Sequence, residues 1–145
     1  MRALLADHDS EMLERTARAL ADSFVIDLAR TKTGCIELLR PGRYDVLIAC
    51  ERLEDGSGLE LLGRAERLWP DVLRVFAAVP ERLRLLKGRL SPFKLYRALP
   101  YPIDAERLRG LLVAAQKRTE SQPKSARARG ARPRSTRSSS RRGSV

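Results

Sequence analysis

Along the first 118 positions, short apolar runs alternate with longer stretches in which apolar residues recur at helical spacing. Ala3-Leu4-Leu5-Ala6 is the first run, stopped by Asp7-His8-Asp9-Ser10. Asp9 or Ser10 suits the cap of a helix whose inner face is Met12, Leu13, Ala17 and Leu20. Phe24 to Ala29, with its β-branched content, predicts a second strand. Thr31 or Thr33 then caps a helix carrying Ile36, Leu38 and Leu39, ended by Pro41-Gly42. Tyr44 to Cys50 is the most continuous apolar run, the pattern of a central strand buried on both faces.

After the turn Asp55-Gly56-Ser57-Gly58, a helical stripe of Leu59, Leu62, Ala65 and Leu68-Trp69 runs to Pro70. Val72 to Val79 predicts a fourth strand. Glu81 to Leu90 reads as a short basic helix with Leu83, Leu86 and Leu90 inward, and Lys94 to Leu99 as a weaker fifth strand. Asp104 caps a last helix with Leu108, Leu111, Leu112 and Ala115 inward. Strands alternating with helices predict parallel βαβ units, hence an α/β fold with a doubly wound five-stranded parallel sheet. A chain of 145 residues holds one such domain, over residues 1–118, and is too short for two. Past Lys117-Arg118 apolar periodicity stops, and residues 119–145 are expected to form a disordered Arg/Ser-rich tail.

Charge sharpens that division. The net charge is +11, and eight of the 29 Lys/Arg but one of the 18 Asp/Glu fall in residues 119–145. Lys124, Arg127, Arg129, Arg132, Arg134, Arg137, Arg141 and Arg142 are therefore candidate anion-binding residues. Their partner would be nucleic acid, anionic lipid or an acidic protein face, or the tail is simply solvated. It contains no aromatic residue for base stacking, so any nucleic-acid binding should tolerate sequence. Arg137-Ser138-Ser139-Ser140 and Arg141-Arg142-Gly143-Ser144 have the spacing that basophilic kinases use, and each phosphate would cancel nearly two positive charges. A second basic stretch comprises Arg82, Arg84, Lys87, Arg89, Lys94 and Arg97. Cys35 and Cys50 match neither a disulfide framework nor a zinc pattern. With no long apolar run and no secretory pattern in MRALLADHDS, a reduced, cytoplasmic setting is expected.

Open parallel sheets keep ligands and chemistry outside the carboxyl ends of their strands. Here those ends read Asp7-His8-Asp9, Cys50-Glu51, Ala77-Ala78 and Tyr101-Pro102. LLADHDSEML, then YDVLIACERLEDGSGLELL, then Tyr101-Pro102 resemble, in that order, the response-regulator receiver family of two-component signalling. The resemblance covers about residues 1–118 and implies a flavodoxin-like sheet with strand order 2-1-3-4-5 and a role in phosphorelay signal transduction.

The family's chemistry takes two acidic residues for Mg²⁺, an aspartate nucleophile, a Ser/Thr hydroxyl and a lysine. At those positions stand Asp7, His8, Cys50, Ala77 and Tyr101, so one of the five roles is retained. Imidazole and thiol do not suit a hard, octahedral Mg²⁺. Without metal or lysine, nothing offsets the charge of a transferred phosphoryl group. The resemblance thus implies an atypical, single-domain pseudo-receiver that is not phosphorylated on Asp, has no catalytic residue, metal or cofactor, and acts through protein–protein binding. Asp7, His8 and Asp9 remain as a vestigial acidic pocket, and Glu51, next to Cys50 on a strand, is expected to face away from it. Cys50 reads as a packing residue or as a redox thiol with its pKa lowered beside His8. In the family the fourth helix, fifth strand and fifth helix meet partners, which makes Arg82, Arg84, Lys87, Arg89, Lys94 and Arg97 the candidate docking face for a kinase or output protein. The alternative is non-specific nucleic-acid association through the tail, with the folded domain as carrier.

Overall fold

A computed structural model describes residues 1–120; the tail candidates from Lys124 to Arg142 lie outside the described residues. Each apolar run becomes a strand and each periodic stretch a helix. In chain order these are β1 (Arg2–Ala6), α1 (Ser10–Leu20), β2 (Val25–Ala29), α2 (Lys32–Leu38), β3 (Val46–Cys50), β4 (Arg52–Leu53), β5 (Gly56–Ser57), α3 (Gly58–Leu68), β6 (Leu73–Ala78), α4 (Pro80–Leu86), β7 (Arg97–Pro100) and α5 (Ala105–Glu120). Five strands pair in parallel in the order β2-β1-β3-β6-β7, which is 2-1-3-4-5 when only the strands of this sheet are counted.

β3 is buried at every position and supplies both layers of the core. Val46, Ile48 and Cys50 face Met12, Leu13 and Leu20 of α1 and Leu108, Leu112 and Ala115 of α5. Leu47 and Ala49 face the other way, toward Cys35 after α2 begins and Leu61, Leu62 and Ala65 of α3. This is the two-residue alternation of a strand covered on both sides.

Helix starts follow their caps. Asp9, and not Ser10, caps α1, its Oδ1 accepting from Glu11 N at 3.0 Å and Met12 N at 3.3 Å. Thr31, and not Thr33, caps α2 through Gly34 N at 2.8 Å. Ser57 and Glu60 form a reciprocal capping box at α3 (3.1 and 2.9 Å). Asp55 adds a brace across the domain: its carboxylate accepts from the backbone N–H groups of Lys32 and Thr33 and from Thr33 Oγ1, and these bonds hold its pKa below the ordinary value.

Several sequence expectations are corrected. The β4–β5 hairpin, pairing Arg52 with Ser57 and Leu53 with Gly56, has strands too short to leave a periodic signature. In α3 the buried face is Leu61, Leu62 and Ala65; Leu59 is only partly covered and Leu68 is half exposed. In α1 it is Thr16, not Ala17, that is buried, with its hydroxyl 3.2 Å from the Met12 sulfur. The fourth helix stops at Leu86, because Gly88 takes φ +88 and starts a new turn. The fifth strand begins at Arg97, since Lys94 adopts the left-handed conformation after a 3₁₀ turn at Ser91–Phe93. α5 runs to Glu120, two residues past its expected end.

Candidate functional site

The carboxyl ends of β1, β3, β6 and β7 surround a cleft of about 780 Å³. Asp7, His8, Asp9, Cys50, Ala77 and Tyr101, expected there from their strand-end positions, all line it. Asp7 is fully buried. Its Oδ1 accepts from His8 N at 2.8 Å and lies 3.0 Å from His8 Nδ1, while its Oδ2 accepts from Tyr101 Oη at 2.8 Å. Both oxygens of the one retained acidic position are therefore engaged by neighbouring side chains and backbone of the same site. Tyr101 is brought there from the end of β7, where its N–H donates to Ala78 O at 2.9 Å. Burial, then the hydrogen bond to Asp7 and the charge on it, push the Tyr101 hydroxyl up from its ordinary pKa, so it remains a donor at neutral pH.

Cys50 closes the floor of the cleft at 1% exposure, opposite Ala77 on the neighbouring strand. Burial first, and the Asp7 carboxylate second, push its thiol pKa far up. A thiol so placed stays protonated, and a thiol is a poor nucleophile until it ionises. The redox reading, which needs His8 to lower that pKa, is opposed by both influences. Asp9 points its carboxylate at the helix it caps.

Glu51 departs from its expected orientation. It follows the last residue of β3, where strict alternation has ended, and it lines the cleft. Its Oε2 accepts from Arg82 Nε at 2.6 Å and pairs with Nη2 at 2.6 Å. Arg82, in the first turn of α4, is thereby drawn into the cleft rim. The pair has no signature in the sequence, because the partners lie 31 positions apart and neither carries a motif.

The other cations of the expected docking face also separate. Arg84, Lys87 and Arg89 are exposed on and just after α4. Lys94 pairs with Glu66 at 3.5 Å, and Arg97 lies 4.4 Å from the centre of the Tyr96 ring. These last two line a separate concavity at the opposite end of the sheet.

The site does not fit Mg²⁺. The positions that would supply hard oxygen ligands hold a carboxylate already bonded through both oxygens, an imidazole and a buried thiol, and the lysine position holds a phenol. Among the described residues no group of three or more His, Cys, Asp and Glu is arranged to hold a metal ion. Among them, too, no helix is long and apolar enough to cross a membrane.

Solved structures with this architecture include receiver domains. The signal receiver domain of an HD domain-containing protein from Pseudomonas fluorescens Pf-5 superposes with a TM-score of 0.73 at 26% identity, over 83% of this chain and 89% of that one. A two-component response regulator from Clostridium difficile gives a TM-score of 0.73 at 20% identity, over 83% and 99% of the two chains. An adenylate cyclase from Rhodopirellula baltica reaches 0.73 at 18% identity over 82% and 89%, a likeness of fold that carries no activity with it. No protein-family model and no curated protein sequence matches the chain. The fold is that of response-regulator receiver domains, with the five-stranded parallel sheet expected from the strand–helix alternation and the flavodoxin-like order that the resemblance implies.

Proposed function

We propose that this receiver-fold chain takes part in signal transduction as a pseudo-receiver, through contacts with a protein partner and without an aspartyl-phosphate switch. One observation carries the reading: Asp7, the single acidic residue retained from the phosphotransfer set, is buried and hydrogen-bonded through both carboxylate oxygens to His8 and Tyr101. Phosphoryl transfer is almost entirely positioning and electrostatic stabilisation. Here the nucleophile position is a protonated thiol, and the group that stands where a cation would neutralise the phosphoryl oxygens is a phenol donating to a carboxylate. The surface that remains for signalling is α4 and its surroundings. None of the residues of α4 is buried, and Leu85 is 68% exposed beside Arg84. An apolar residue set among cations suits a partner such as a kinase or output protein with an apolar contact ringed by acidic groups.

The expected result of incubating the chain with a small phosphodonor and Mg²⁺ is an unchanged intact mass. A species heavier by about 80 Da, one phosphoryl group, that disappears on replacing Cys50 would sink the proposal.

The charge distribution favours a second reading, non-specific nucleic-acid association with the folded domain as carrier of the basic tail. Beyond Glu120 the chain has eight Lys/Arg and no Asp/Glu. Binding of duplex DNA by the full chain should then weaken steeply as salt rises, because phosphate neutralisation releases counterions. Affinity that is absent at low salt, or indifferent to salt, removes this reading.

A further inference from the structure

We infer that the cleft at the carboxyl ends of the strands binds a small uncharged molecule with an apolar body and one N–H or O–H donor, of the indole or phenol type. The inference rests on the pseudo-receiver reading and deepens it, since a cleft without phosphotransfer is free to report a ligand to α4.

The cleft offers one open hydrogen-bonding group. His8 Nδ1 lies 3.0 Å from Asp7 Oδ1, and a carboxylate only accepts, so Nδ1 carries the ring proton. In the neutral imidazole Nε2, on the far side of the ring, is then a bare acceptor. His8 lines the cleft with its side chain 40% exposed, and among the described residues Nε2 has no hydrogen-bond partner. The ring is held in this tautomer from behind, because Asp7 is buried and tied by Tyr101 Oη at 2.8 Å.

The charges of the lining select against an ionic ligand. Three carboxylates, those of Asp7, Asp9 and Glu51, face two guanidiniums, those of Arg52 and Arg82, so an anion meets an excess of its own sign. A cation finds each carboxylate already accepting hydrogen bonds: Asp7 from His8 and Tyr101, Asp9 from the start of α1, and Glu51 from Arg82. The floor is uncharged, with Ala77 buried beside a Cys50 thiol that burial keeps protonated. Val79 lines the same cleft and is 42% exposed, an apolar side chain left for a ligand to cover. A volume of about 780 Å³ leaves room for a bicyclic ring, and apolar walls with a few fixed polar groups are the usual make-up of small-molecule sites. Occupancy would reach the partner surface through Arg82, which belongs to α4 and is held at the rim by Glu51 at 2.6 Å.

The test is a titration of the full chain, followed by amide proton–nitrogen correlation NMR, with three probes: indole, N-methylindole, which lacks the donor, and indoleacetate, which adds a negative charge. Indole should shift the amides of His8, Ala78, Val79, Arg82 and Tyr101. N-methylindole should bind about fivefold more weakly, the worth of one hydrogen bond, and indoleacetate more weakly than indole. In His8→Phe, which keeps a ring and removes Nε2, indole should fall to the affinity of N-methylindole. If that variant melts early, the three probes on the wild-type chain still decide. Indole that shifts no amide up to its solubility limit, or shifts amides scattered over the surface, overturns the site. Equal affinity for indole and N-methylindole, or tighter binding of indoleacetate, overturns the ligand class. A chain that ignores all three probes and gains no mass from a phosphodonor loses this inference and keeps the pseudo-receiver reading, whereas a gained phosphoryl group overturns both.

Discussion

Replacing Gly58 with alanine should destabilise the domain by about 3 kcal/mol or more, the upper range for forcing extra atoms into a packed site. Gly58 is the first residue of α3 and is buried. A Cβ built on it would stand 2.0 Å from the carbonyl oxygen of Cys50 and 2.9 Å from its carbonyl carbon. Both are backbone atoms of the central strand's last residue, and neither can rotate aside. The approach is fixed from the other direction as well, since Gly58 N donates to Glu51 O at 2.9 Å and Ser57 caps the helix in its box with Glu60. Relief requires α3 to move away from β3, which opens the layer of Leu61, Leu62 and Ala65 against Leu47 and Ala49. For a domain of this size about 3 kcal/mol corresponds to a fall in Tm of roughly 10 °C. Gly110→Ala is the matched control: it lies in α5 with nothing within 4 Å of the added carbon, and should leave stability unchanged or raise it by up to about 1 kcal/mol. Thermal unfolding of the two variants checks the pair, and a Gly58→Ala protein melting with the wild type would show that the helix start is not packed as described.

Gly58 also shows what kind of information the sequence carries. The turn Asp55-Gly56-Ser57-Gly58 marks the start of a helix, and the apolar run before it marks a buried strand; both are local signals, and both elements are where they were expected. The alternation predicts a parallel doubly wound sheet, and the order of its strands comes from the resemblance to receiver domains. The phase of a helix was harder to read. In α3, Leu59 and Leu61, two positions apart, stand on nearly opposite faces of the helix, and only the position of the sheet decides which is inside. The end of α4 departs from its periodicity for a related reason: Leu83, Leu86 and Leu90 keep helical spacing, but Gly88 breaks the backbone between the last two.

The candidate site was legible as a set of positions and not as a set of bonds. Strand ends placed Asp7, Cys50, Ala77 and Tyr101 around one cleft, and the structure brings them there. That Tyr101 donates to Asp7 across 94 residues, or that Arg82 is taken by Glu51 and leaves the basic face, depends on side-chain reach and has no local signature. Arg74 is the strongest case. Nothing local in the run from Val72 to Val79 marks its single arginine as buried, and it is a buried clamp.

Its replacement is the other change expected to be costly. Arg74→Met keeps the apolar stem and removes a guanidinium that donates to four carbonyls, those of Pro70, Val72, Phe93 and Lys94. Those carbonyls belong to two segments without regular pairing of their own, the connection from α3 into β6 and the turn that leads to β7. Hydrogen bonds from a charged donor contribute about 1.5–3 kcal/mol each in favourable cases, and acceptors left without partners add a desolvation cost where water does not reach them. The four bonds act as one unit, and water entering from the adjacent concavity would replace some of them, so a net loss of about 3 kcal/mol is expected rather than the sum. Burial lowers the Arg74 pKa, but a guanidinium starts so high that it stays charged, and the effect should be the same across neutral and mildly alkaline pH. Arg74→Lys retains charge but cannot reach both segments with one ammonium, so it should recover less than half of the loss. The order wild type, Lys, Met in denaturant midpoint, with unchanged slope, is the expected outcome. Equal midpoints for wild type and Met would mean that the two segments are held by the packing of Val72 and Phe93 in their core layer alone, and that the buried charge contributes nothing to the fold it sits in.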